Sequence, residues 1–153
     1  MSAPEAAGAA LLRVALGAIF VMHGYDALAV LGAPAAAALV VRLGYPAALA
    51  LPLAWYLIVA HGAGGALLIV GLWTRWAALV QVPIMASAVF LLHLPQGFFM
   101  RGIVEDRAAG RAIAGGYEYS LLVLAATLAV GLSGAGAWSV DRARTNPRRP
   151  RLP

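Results

Sequence analysis

Three histidines and two carboxylates stand where ionisable side chains are costly. His23, Asp26, His61, His93 and Glu118 lie inside or at the ends of long apolar runs, and a titratable group in such a run is a functional candidate by default. At about 1.5 Å of rise per residue in a helix, His23 falls about two thirds of the way along the first run. His61 falls near the middle of the second, which runs the other way, so the two can meet near mid-depth. Asp26 is one turn past His23 on a similar face. His93 ends the third run and Glu118 begins the fourth, both towards the side of Asp26. All five can line one cavity in the outer half of a helical bundle.

Three chemistries suit these residue types. Histidine can donate to a ring carbonyl and changes protonation near neutral pH, and Asp26 or Glu118 could relay the proton; that is a pocket for a quinone or another small redox ligand. The same side chains are metal-ligand types, with His23 and His61 the pair to hold a metal ion or a b-type haem, although no spacing is diagnostic. In a purely structural role, each histidine would donate to a carbonyl of a neighbouring helix. Taken together, His23 and His61 favour the functional readings. No phosphate-binding loop, HExxH motif or nucleophile with an identifiable base is present. The glycine cluster Gly62–Gly65 sits inside an apolar run, where helix packing explains it better than dinucleotide binding. The absence of cysteine excludes disulfides, thiolate metal sites and Cys nucleophiles.

The elements that position these residues follow from composition. Of 153 residues, 63% are hydrophobic and 11% charged, with a mean hydropathy of +0.85; a water-soluble domain carries about 25% charged residues. The apolar runs reach the roughly 20 residues that a bilayer-crossing helix needs. The expected fold is all-α: an up-down four-helix transmembrane bundle over residues 1–138, with spans at about 8–30, 47–72, 75–94 and 117–132. Residues 1–7 are a frayed lead, and the first run, which contains Arg13, is a retained span rather than a removable signal. The 31–46 connector carries a short interfacial helix near 35–42, and Pro83 kinks the third span. The polar segment 95–116 forms an ordered outer loop with a short helix near 104–114, and its Arg101, Arg107 and Arg111 could receive a very small anion. Gly17, Gly24, Gly62, Gly64 and Gly65 are packing residues that let helix backbones approach. Arg13, Arg75, Trp73 and Trp76 are interfacial anchors. Residues 139–153, with five arginines and three prolines, form an extended or disordered tail. The arginine excess at the N-terminal side, the turn between spans two and three, and this tail places both termini in the cytoplasm; the expected location is the inner membrane of a bacterium. Its positive charge is directed to a membrane surface before nucleic acid.

The stretches LLRVALGAIFVMHG (11–24), GGALLIVGLWTRWAAL (64–79), HLPQGFFM (93–100), GGYEYSLLVLAA (115–126) and WSVDR (138–142), in that order, resemble the DoxX family of small four-helix membrane proteins, which includes subunits of thiosulfate:quinone oxidoreductase. The resemblance covers roughly Leu11 to Arg142. It implies membership of a membrane redox system beside a larger partner, and directs attention to His23, Arg75, His93, Gly116, Tyr117 and Glu118. Members of the family often carry an acid where this chain has His61, and a Gln-Lys pair where it has Asp26-Ala27, which suggests Asp26 and His61 as a swapped acid–base pair. The leading functional expectation is an accessory subunit of a respiratory or other redox complex that contributes to a quinone site, non-catalytic more than catalytic. The alternatives are a stand-alone quinone-linked oxidoreductase, with His23 and His61 at the ring, and a cofactor-free membrane chaperone or assembly factor.

Overall fold

A computed structural model describes residues 2–100, 103–106 and 111–145, with the backbone alone for 103–106 and 111–114. Among the described residues, three helices are long and apolar enough to cross a membrane by length and composition: Ala3–Val30, Ala47–Val70 and Thr74–Gln96. The chain is a multi-pass membrane protein. A fourth apolar helix, Glu118–Ser133, has 16 residues and packs between the first and third.

The first long helix comprises α1 (Ala3–Tyr25) and a π-helical extension, Asp26–Val30. It begins earlier than the frayed lead expected from composition. Ser2 accepts from the Glu5 N–H while the Glu5 carboxylate accepts from the Ser2 N–H at 2.8 Å, a reciprocal cap that satisfies two otherwise orphaned donors. The second comprises α3 (Ala47–Val59), a π turn (Ala60–Gly64) and α4 (Gly65–Val70). The third comprises α5 (Thr74–Leu79), α6 (Val82–Ser87), a π turn (Ala88–His93) and a 3-10 turn (Leu94–Gln96). Its break at Val80–Gln81 lies just ahead of Pro83, which has no N–H for the ladder. α7 is Glu118–Ser133 and α8 is Val140–Thr145. The buried core joins the three long helices and α7 through Leu16, Phe20, Leu68, Ala78, Val89 and Val130.

The connector helix α2 (Ala33–Arg42) packs on α3. Two expectations change here. The described residues between 104 and 114 are not helical: β1 (Ile103–Asp106) pairs antiparallel with β2 (Arg111–Ala114), Val104 opposite Ile113, in keeping with the β-branched residues in both strands. Arg101 and Arg107 lie outside the described residues. The segment expected as an extended tail begins as a docked helix, and residues 146–153 lie outside the described residues.

The docking of α8 has a specific cause. α5 starts after Trp73, whose left-handed backbone (φ 49°) offers no side-chain cap. Asp141 supplies one from the other end of the chain: its carboxylate accepts from the N–H groups of Trp73 at 2.8 Å and Thr74 at 2.9 Å, while its own N–H donates to the Gly71 carbonyl. Burial works to raise the Asp141 pKa, but the donated backbone hydrogen bonds outweigh it and hold the carboxyl below its ordinary range. The sign follows from linkage: a depressed carboxylate adds stability above its unfolded pKa, near 4, and that stability is lost as pH falls through the folded value. Asp141→Asn should therefore lower stability by about 1 kcal/mol near neutral pH, the usual worth of a cap, and should unfold with a flatter pH dependence below about pH 4. Thermal unfolding in detergent across that range checks it; equal acid sensitivity of the two proteins would contradict it.

Candidate functional site

His23, His61 and His93, one from each long helix, line a single cavity of about 300 Å³. Its wall is otherwise mostly apolar, and α2 with its C-cap closes one side through Leu39, Val40 and Leu43. Tyr45, at the end of that connector, shares a 2.7 Å hydrogen bond with Ser87 of α6, and both line the same cavity.

The close approach that brings His23 to His61 is made by glycine. A Cβ on Gly24 would lie 2.6 Å from the Gly62 nitrogen and 3.1 Å from the His61 carbonyl carbon. One on Gly17 would lie 2.7 Å from the Gly65 oxygen, and one on Gly65 would lie 2.9 Å from the Gly17 oxygen. The first two helices thus touch backbone to backbone, and the His23 and His61 ring centroids come within 6.3 Å. Gly62 offers its backbone to this contact, since a Cβ added there would meet open space.

His61 is buried and its ring is fixed on two sides. Phe20 packs against it at 5.0 Å between centroids. Behind it, its Nδ1 lies 2.7 Å from Oε1 of the fully buried Gln81, whose Nε2 donates to the Ala60 carbonyl. Gly64 leaves room for that amide, because a Cβ there would lie 2.7 Å from Gln81 Nε2. His93, which lines the cavity, has its Nδ1 buried without a partner among the described residues.

The five polar residues expected to converge separate into two groups. The histidines meet; Asp26 and Glu118 are not in the cavity wall. Glu118 instead holds the 97–100 loop: its carboxylate accepts from the Met100 N–H at 2.9 Å, and its N–H donates to the Phe98 carbonyl. Gly116 and Tyr117 close the same loop, Gly116 against the Phe99 backbone and Tyr117 edge-to-face with Phe98 at 5.2 Å. At His61 Nδ1 the partner is Gln81 rather than Asp26. Gln81 carried a signal that sequence reasoning left unused: it is a lone amide in an apolar run, needing a partner. Among the described residues no group of three His, Cys, Asp or Glu side chains is placed to hold a metal ion.

The anchor residues also divide. Trp73 and Trp76 are exposed, as belt residues would be, and Arg75 lies beside Gly134. Arg13 is not an interfacial anchor. It is 1% exposed and donates to the carbonyls of Leu68, Ile69 (2.6 Å), Ala135 (3.0 Å) and Trp138 (3.1 Å).

Three π turns surround the site. His61 and His93 lie within two of them, and the third begins three residues after His23. Such turns are rare and frequent at functional sites, since the inserted residue re-aims the side chains around it.

A family model described as DoxX matches residues 8–94, a stretch that contains all three histidines, Gln81 and the paired glycines. No curated protein and no solved structure matches the chain.

Proposed function

The chain belongs to the DoxX family, whose model covers more than half of it, and from that premise we propose that it is an accessory subunit of a membrane redox complex, contributing a site for a quinone-class ring. The observation that carries this reading is the convergence of three histidines from three different helices on one apolar cavity. Such pockets, mostly hydrophobic with a few placed polar groups, suit flat organic ligands of modest size. His61 and His93 would bond the ring oxygens, Phe20 and Met85 would supply apolar contact, and the Tyr45–Ser87 pair would close the α2 side. A quinone-class group, when bound, supplies two-electron, two-proton chemistry. The chain's own part is to orient the ring, to keep water out and to offer a proton acceptor. Electrons pass to or from the larger partner.

In this reading the chain spans the inner membrane of a bacterium four times, with Glu118–Ser133 as the shorter fourth span and both termini cytoplasmic. The N-terminal helix start, the turn at 71–74 and the 134–145 segment are bonded together at one end of the bundle, and the arginine bias of these segments favours the cytoplasmic side for it.

Purification from native membranes in a mild detergent, with mass spectrometry of proteins and extracted lipids, tests the proposal. A larger redox protein in stoichiometric amount, together with a quinone near one per chain, is the expected result. A solitary protein free of any ring compound would overturn it.

A further inference from the structure

We infer that the cavity selects the reduced, hydroxyl-bearing form of its ring ligand, a quinol or phenol, over the oxidised carbonyl form; this rests on the reading that the cavity binds a small ring. The argument begins at the Ala60 carbonyl. A carbonyl oxygen only accepts, so the Gln81 side chain must turn its NH₂ towards it, as it does. The Gln81 Oε1 is then the atom facing His61 Nδ1, and it too only accepts. The proton of the His61 ring therefore sits on Nδ1. A second ring proton would leave a buried cation without a counter-charge, since no carboxylate among the described residues lines the cavity, and an unpaired buried charge is costly. Nε2 consequently presents a bare lone pair. It has no protein partner among the described residues, and Gln81, on the Nδ1 edge, stands outside the cavity wall that His61 helps to form.

A lone pair in that position accepts from a ligand O–H and repels a ligand C=O. At His61 the ring oxygen that fits is one carrying a hydroxyl proton, and the amide of Gln81, which need not touch the ligand, sets that preference. Gln81 is thus a positioning residue that fixes a tautomer, as the partner of one ring nitrogen generally does for the other.

The test uses the full chain in lipid nanodiscs, with a decyl-substituted benzoquinol and the matching benzoquinone as probes. The quinol is expected to bind about tenfold or more tightly than the quinone, the worth of one hydrogen bond gained against one lone-pair clash. In ¹⁵N-histidine spectra, assigned with His61→Gln, His61 should show a protonated Nδ1 and an unprotonated Nε2, and the Nε2 resonance should move with quinol and not with quinone. Gln81→Met should erase most of the preference; should that variant not fold, the wild-type spectrum and the two affinities decide alone. Equal or tighter binding of the quinone, or a proton on Nε2, would overturn the inference and leave the ring site standing. Failure of both rings to bind would overturn the ring site as well.

Discussion

Arg13→Met should destabilise the protein by about 4 kcal/mol or more, from the loss of hydrogen bonds to four carbonyls at roughly 1–3 kcal/mol for each buried group left unsatisfied. Two of those carbonyls, Leu68 and Ile69, belong to the last turn of α4, where carbonyls lack an i+4 partner; Leu68 accepts in addition only the longer bond from the Gly71 N–H at the helix cap. The other two, Ala135 and Trp138, belong to the segment that leads into α8. One guanidinium therefore ties the first helix, the end of the second and the C-terminal segment together, and its positive charge also complements the negative end of α4. Methionine fills much of the volume and removes every donor. Arg13→Lys should be damaging too, because an ammonium is a compact point donor and cannot reach carbonyls on opposite sides as the planar fork does. Thermal unfolding in detergent measures this: a loss of that size is a large share of the usual 5–15 kcal/mol. Wild-type unfolding of Arg13→Met would contradict the role.

The burial of Arg13 also shows where sequence reasoning reached and where it stopped. The long helices are legible because run length and hydropathy are local properties. Depth is legible too, so the meeting of His23 and His61 follows from counting residues along opposed helices. The partners of Arg13 are not, because Ala135 and Trp138 are more than 120 residues away in sequence, and an arginine near a span end looks the same whether it turns outward or inward. Asp26 illustrates a further limit. One helical turn separates it from His23, yet it does not line the cavity: counting residues gives depth and approximate face, and not which cavity a side chain reaches. The start of α1 was legible and overlooked: Ser2 and Glu5 have the spacing of a capping box. The paired strands Ile103–Asp106 and Arg111–Ala114 competed with helix on short, mixed segments, where periodicity decides little.

The second large effect is at the cavity. His61→Phe keeps an aromatic ring beside Phe20 and removes both ring nitrogens, leaving Gln81 Oε1 without its partner. Ring-ligand affinity should fall about tenfold or more, one hydrogen bond's worth or above. The bundle itself should persist, since the glycine contacts between the first two helices do not involve the His61 side chain.

The same variant provides the control for the most direct measurement: photolabelling of the protein in nanodiscs with a short-chain, photoactivatable benzoquinone, added oxidised and reduced, and mapping of the labelled peptides. Label concentrated on the segments that carry His23, His61 and His93, strongest with the reduced probe and lost in His61→Phe, is the expected result. Label confined to the open groove beside Trp55, Trp73 and Trp76, unchanged in His61→Phe, would contradict a ring site in the three-histidine cavity.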